Sequence, residues 1–383
     1  MGAASRTPHE ILALAYLRGL ESLSSPLVSD PDILDEVYLV SRNLQNRACV
    51  RLLLAALLAK AHRPEVDIRK PYTATGGTDS YSGRSYDEMY ITAFVNTYRL
   101  PCNSTTAFLT PAFRNRNIVL TPDVNLEGRP ANVYEALLQL LADVQDDRIA
   151  AEDLLAETIR NLLVFRDERE QRMLSLIAGL KTIAGAMPLS SEGIISLIEQ
   201  HMRFRQPNTR GTSRLPVLII AAAYNTASHF LQERVLPLES HNAADEQTGS
   251  LGDLEITLTN DGEIVTSYEM KMRRGTRDDI DRAVQKVEHT KRHIDNYIFI
   301  TTEPIDPLIQ EYAVSLYEQT GGIEFVILDC INFLRHFLHL FHRLRAAYLN
   351  TYQGLLLLEP ESAVSQPLKE AFLAMRQAAE SNE

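Results

Sequence analysis

Residues 252–258 read Gly252-Asp253-Leu254-Glu255-Ile256-Thr257-Leu258, and residues 263–272 read Glu263-Ile264-Val265-Thr266-Ser267-Tyr268-Glu269-Met270-Lys271-Met272. Between them stands Asn260-Asp261-Gly262, so the pattern predicts two strands joined by a tight turn. Glu269 and Lys271 are two apart on a strand and share a face. If residues 260–262 form a three-residue loop, Asp253 falls directly opposite Glu269. Two opposed carboxylates would repel in an ordinary sheet, and a divalent cation between them removes the conflict. Mg²⁺ accepts one or two carboxylates plus phosphate and water oxygens. Asp253 and Glu269 are therefore the expected Mg²⁺ ligands. Lys271 is expected to stabilise developing charge, or to orient and deprotonate a water. Glu233 and Glu255 are expected as additional acids, with pairing to an arginine as the alternative for Glu255. The plainer alternative for the whole set is a solvent-facing sheet surface with Lys271 as a salt-bridge neighbour.

Working outward, the sequence predicts an apolar helix over 215–233 before the hairpin and a charged amphipathic helix over 278–293 after it. A buried-type strand over 297–301 follows. A helix over 305–320, stopped by Gly321-Gly322, leads to a strand over 323–328 and a closing helix over 330–349. This order predicts an α/β fold, with a mixed central sheet flanked by helices and a largely helical N-terminal half. Composition divides the chain into a helical segment 1–62, an irregular region 63–135 and a helical connector 136–202. A core at 203–345 and a helical tail at 346–383 complete it. The irregular region is rich in Gly, Pro, Thr, Ser, Asn and Tyr.

An Asp followed on the next strand by Glu-x-Lys, in this order of elements, resembles the PD-(D/E)XK nuclease superfamily. Gly252 stands where that family often has Pro. A second likeness covers roughly residues 65–335. It rests on Lys70-Pro71-Tyr72, on Asp79-Ser80-Tyr81-Ser82-Gly83-Arg84-Ser85-Tyr86 and on Leu100-Pro101-Cys102-Asn103. Thr105-Thr106-Ala107-Phe108-Leu109-Thr110-Pro111-Ala112-Phe113-Arg114-Asn115, His241-Asn242-Ala243-Ala244-Asp245 and Tyr297-Ile298-Phe299-Ile300-Thr301 extend it. These stretches resemble the SacI family of type II restriction endonucleases. The resemblance implies sequence-specific, Mg²⁺-dependent double-strand cleavage of DNA that leaves a 5′ phosphate. It also implies a cognate DNA methyltransferase as a genetic partner. A palindromic site would be read by a homodimer. The rival expectations are a repair or modification-dependent nuclease of the same fold, and a non-catalytic DNA-binding protein.

The formal net charge of −12, from 38 Lys+Arg against 50 Asp+Glu, argues against coating nucleic acid through a globally basic surface. The acids are unevenly placed. Residues 143–157 hold six acids and one arginine, the pattern of a solvated face or linker. Arginines gather elsewhere. Arg84, Arg114, Asn115 and Arg116 are the expected base-reading residues. Arg203, Arg205, Arg210 and Arg214 form a run without an acid, and Arg273, Arg274 and Arg277 follow Lys271. Arg205, Arg210, Arg273 and Arg274 are the expected phosphate contacts. The expectation is thus a basic cleft on an acidic body.

Other classes are not indicated. No apolar run approaches a membrane span, and the N-terminus has neither a signal-peptide core nor a myristoylation pattern. Cys49, Cys102 and Cys330 are too scattered for a zinc site or a disulfide framework, so a reducing cytoplasm is the expected location. His289 and His293 lack the intervening Glu of a zinc-protease helix, and His336, His339 and His342 read as a packing or surface face. No phosphate-cradling or dinucleotide-binding glycine motif occurs.

Overall fold

The computed structural model describes residues 6–114, 116–182, 187–206, 209–237, 250–260, 262–290 and 294–381. Asn115, the 241–245 motif, Asp261 and His293 lie outside the described residues. The chain forms two compact units, Met1–Leu174 and Ser175–Glu383.

The first unit is built on helices. Arg47–His62 is its centre: from Leu52 to Ala59 every side chain is buried. Pro8–Glu21, Pro31–Arg42, Ala131–Gln145 and the start of Ala151–Thr182 supply partners to the same core. The irregular region is not a separate body, because Tyr81, Phe108, Phe113 and Leu120 are buried in that core too. The acid run 143–157 departs from the expected solvated linker. Asp143 and Glu157 are buried, and arginines hold both: Arg148 donates to Asp143 at 2.8 Å, and Arg160 to Glu157 at 2.6 Å. Burying a carboxylate requires paired charge and hydrogen bonds. A charge count along the sequence does not reveal which acids the fold buries against these arginines.

The second unit carries a five-stranded mixed sheet in the order β1-β2-β3-β4-β5, made by Glu233–Val235, Leu254–Leu258, Ile264–Lys271, Asn296–Thr301 and Glu324–Asp329. β1, β2 and β3 are antiparallel neighbours, whereas β3, β4 and β5 run parallel. Parallel neighbours need crossovers, here the helices Arg277–His289 and Pro307–Ser315. The fold is therefore α/β with a mixed sheet and high helical content.

Directly paired residues share a face, and faces alternate along a strand. One face presents Leu254, Ile256 and Tyr268. The apolar helix Leu215–Leu231 serves this side, with the Tyr224 and Tyr268 hydroxyls 2.7 Å apart. The other face presents Glu269, Tyr297, Phe299 and Phe325, and the last three pack with Ile280, Ala283 and Val287 of the helix Arg277–His289.

Several boundaries differ from the sequence expectation. The apolar helix ends at Leu231 because Gln232 takes a left-handed conformation, φ 58°. Glu233 then begins β1, an edge strand too short to show an alternating pattern. The closing helix stops at Leu340 and restarts as Arg345–Leu358. No helix among the described residues is long and apolar enough to cross a membrane.

The tail helices belong to the second unit's own packing. His201, at the end of Ser191–Arg203, is fully buried; it accepts from the Tyr352 hydroxyl through Nδ1 and donates from Nε2 to the Leu368 carbonyl, each at 3.0 Å. Burial lowers its pKa from 6.5 to about 4, although the Leu368 contact works the other way. The native state thus resists a proton that the unfolded chain accepts. This group's contribution to stability is complete above pH 6.5 and is lost as pH falls through about 4. Its full size is about 3 kcal/mol. Urea unfolding across this window is expected to show that loss, and His201→Gln to flatten it. An unchanged acid limb in the variant would contradict the assignment.

Candidate active site

The hairpin register places the site. Leu254 pairs with Tyr268, Glu255 with Ser267 and Ile256 with Thr266. Regular pairing ends at Leu254, and beyond it the Asp253 amide also donates to the Tyr268 carbonyl at 2.8 Å, one residue out of the ladder's register. Asp253 therefore lies beside β3 at the level of residues 268–270, where regular pairing has ended. The route to this register is not a plain three-residue loop. Thr257 pairs with Ile264, so Val265 is an extra residue bulged out of β3. The bulge shifts the register by one between the turn and the site.

Gly252 explains its own identity. A Cβ at this position would lie 2.5 Å from the Tyr268 carbonyl oxygen and 2.6 Å from Ser267 Oγ. The backbone before Asp253 crosses β3 too closely for any side chain, the proline frequent in the resembling family included. Asp253 is held further by its own carboxylate, whose Oδ2 accepts from the Met270 amide at 2.7 Å.

Glu269 and Lys271 are about four-fifths shielded from solvent, and Lys271 Nζ lies 2.7 Å from Glu269 Oε1. The other oxygen, Oε2, meets the Tyr297 hydroxyl at 3.3 Å and Lys286 Nζ at 3.8 Å. Glu255, paired with Ser267, accepts through Oε1 from the Leu251 amide at 2.7 Å. Asp253 and Glu255 border a pocket of about 140 Å³ closed by Leu236, Pro237 and Ser250. Ser267 Oγ, on the Glu255 face and fully buried, has no hydrogen-bond partner among the described residues.

Glu233 is not part of this group. It pairs with Leu258 at the opposite end of β2, so its side chain lies on the Tyr268 face. There, burial raises its pKa. Early termination of the helix, not a change of residue type, removes it from the expected set.

The donor set suits a hard cation. Asp253 and Glu269 offer carboxylate oxygens beside the same stretch of β3. Among the described residues no three His, Cys, Asp or Glu side chains converge into a ready-made cage. Mg²⁺ tolerates that arrangement, because it keeps several waters and takes one or two carboxylates plus substrate phosphates.

Three neighbours were not singled out in the sequence. Asp279 and Lys286 reach the site from the helix Arg277–His289, and Tyr297 reaches it from β4. The signal was present in part: Thr276-x-x-Asp279 is a capping box, and Asp279, Arg282, Ala283 and Lys286 recur at helical spacing. Asp279 is 1% exposed. Burial alone would raise its pKa. Hydrogen bonds from Arg273 and Thr276 and the charge of Lys271 outweigh burial and hold the carboxyl well below the ordinary range.

The expected DNA-contacting arginines divide. Arg84 is exposed and pairs with Glu88 at 2.7 Å. Arg114 is exposed and Arg116 half-buried, both in the first unit. In the second unit Arg205 folds its guanidinium onto the Met202 and Phe204 carbonyls. Arg210 and Arg274 are exposed. Arg214 is buried against Glu359 at 3.0 Å and serves as structure. Arg273 binds Asp279 through both terminal nitrogens. Among the histidines, His339 pairs with Glu192 at 3.0 Å and His289 with the Gln285 carbonyl at 2.6 Å.

No known protein-family profile matches the chain, and no curated protein is similar to it.

Proposed function

We propose that this chain is a Mg²⁺-dependent deoxyribonuclease of PD-(D/E)XK type, acting on double-stranded DNA at specific sites as type II restriction endonucleases do. What supports this reading is Asp253 bonded to both neighbours of Glu269, through its amide to the Tyr268 carbonyl and through its carboxylate to the Met270 amide, with Lys271 2.7 Å from Glu269. Around it stands the order of antiparallel hairpin, helix and parallel strand.

Asp253 and Glu269 would hold Mg²⁺, which when bound neutralises charge on the scissile phosphate. Lys271 is positioned by Glu269 to orient the attacking water and to meet the charge that develops on phosphorus oxygens. The water oxygen bonds to phosphorus, its proton leaves to solvent or a basic neighbour, and the bond to the 3′ oxygen breaks. A 5′ phosphate and a 3′ hydroxyl result. Lys286, 3.8 Å from the second oxygen of Glu269, adds positive charge beside that carboxylate. Homodimerisation and a genetically linked methyltransferase belong to the same proposal.

The test is digestion of a plasmid of known sequence with purified protein. Mg²⁺ is expected to give discrete fragments with 5′ phosphates and one common end sequence, and chelator to abolish them. Intact plasmid over a range of Mg²⁺ and salt would remove the reading.

A further inference from the structure

Asp279 gathers more positive charge than it can neutralise. One oxygen, Oδ1, meets Arg273 at 2.7 Å, Arg282 at 2.5 Å and Lys271 at 3.7 Å. The other, Oδ2, accepts from Arg273 at 2.8 Å and from the Thr276 hydroxyl at 2.7 Å. Its neighbour on this face, Glu269, meets Lys271 and Lys286. Around these two carboxylates, then, stand four cationic side chains. The carboxylate of Asp279 is buried, whereas the arginine side chains above it are 54% and 60% exposed. The acid sits beneath the guanidiniums and leaves their outer edges toward solvent. A fixed pair of guanidiniums with outward N–H groups matches the oxygens of a phosphate group. The capping box that starts the helix fixes the acid itself, so the assembly is preset before any ligand arrives.

We infer that Arg273, Arg282 and Lys286 form an anion subsite for a second phosphate of a nucleic-acid strand, beside the one held at Asp253 and Glu269, with Asp279 as the positioning residue that gathers the guanidiniums. This rests on the proposed nuclease reading and adds to it a place where the uncleaved backbone is held. It gives Arg282 and Lys286 a purpose that helix propensity alone does not, and it confines Arg273 to one phosphate rather than to a diffuse basic surface.

The test separates binding from cleavage. Binding of the full-length protein to a short mixed-sequence DNA duplex is measured with chelator present over a series of salt concentrations. Arg273→Ala/Arg282→Ala is expected to weaken binding about tenfold and to reduce the slope of log affinity against log salt by about one, the loss of one neutralised phosphate. Asp279→Asn, which keeps the side-chain shape and removes the gathering charge, is expected to weaken binding about threefold. Arg282→Ala alone, at an exposed position, serves if the Asp279 variant does not fold. Unchanged affinity and slope in a folded arginine variant would overturn the subsite, and equal or tighter binding by Asp279→Asn would overturn its positioning role. If wild type binds duplex with the expected slope but cleaves nothing with Mg²⁺, the nuclease reading fails while the subsite stands. If wild type cleaves and the arginine variants bind normally, the subsite fails while the nuclease reading stands.

Discussion

Lys271→Ala is expected to lower Mg²⁺-dependent cleavage by about 10²–10³-fold, the range for removing a preset donor to charge that develops in the transition state. Duplex binding should change little by comparison, because Arg273, Arg282 and Lys286 remain. The size follows from the geometry. Lys271 is a shielded ammonium locked between Glu269 at 2.7 Å and Asp279 at 3.7 Å. It is therefore oriented before substrate binds, and interactions preset toward the transition state accelerate chemistry more than those that form on binding. Truncation also leaves Glu269 with a changed electrostatic environment, so the loss should appear in kcat and not only in KM. Initial rates on a supercoiled plasmid, with affinity measured separately under chelation, give both quantities. A variant that cuts at the wild-type rate would assign Lys271 to the salt-bridge role and leave the sheet face without its chemistry.

Much of this face was legible in the sequence, and the reason is local. Strand alternation is a period of two, so Glu269 and Lys271 could be placed on one face from spacing alone. The expected opposition of Asp253 to Glu269 presumes a plain ladder, whereas regular pairing ends at Leu254 and Asp253 bonds one residue out of register. The assumed loop ignored the bulge at Val265, and the register up to Leu254 comes out the same because the bulge adds the residue that the turn omits. What could not be read depends on chain path. Glu233 looked like the last acid of a helix until Gln232 turned left-handed and moved it to the far face. Asp279 is one acid of a charged helix in the sequence, and only tertiary packing shows it buried beneath two arginines. Arg214 and Arg273 sit in equally basic runs, yet one is buried against Glu359 and the other lies over Asp279 near Lys271. A run of charge records composition, whereas function depends on what each charge faces.

The same distinction governs the largest expected stability effect, which lies in the first unit. Asp87→Ala is expected to cost about 3–5 kcal/mol, the range for removing one partner of a buried ion pair. Arg51 and Asp87 are 1% and 0% exposed at the side chain, with Nε to Oδ1 at 2.6 Å. Asp87 Oδ2 also accepts from the Thr106 hydroxyl at 2.6 Å and from the Ala107 amide at 2.9 Å. Arg51 donates in turn to the Asn103 carbonyl and the Thr92 hydroxyl, each at 2.5 Å. One charge pair thus ties the central helix Arg47–His62 to the helical stretch 83–97, which holds Asp87 and Thr92, and to the loop that carries Asn103, Thr106 and Ala107. Alanine at 87 would strand a buried guanidinium and orphan two donors at once. Against a typical stability of about 5–15 kcal/mol, that loss should shift the urea midpoint markedly or prevent folding at moderate temperature. Replacing both partners, Arg51→Met with Asp87→Leu, should cost less than the two single changes together, because no uncompensated charge remains. Additive costs in that cycle, or a loss below about 1 kcal/mol for Asp87→Ala, would mean that the apolar contacts of Tyr81, Phe108 and Phe113 hold the region without the ion pair.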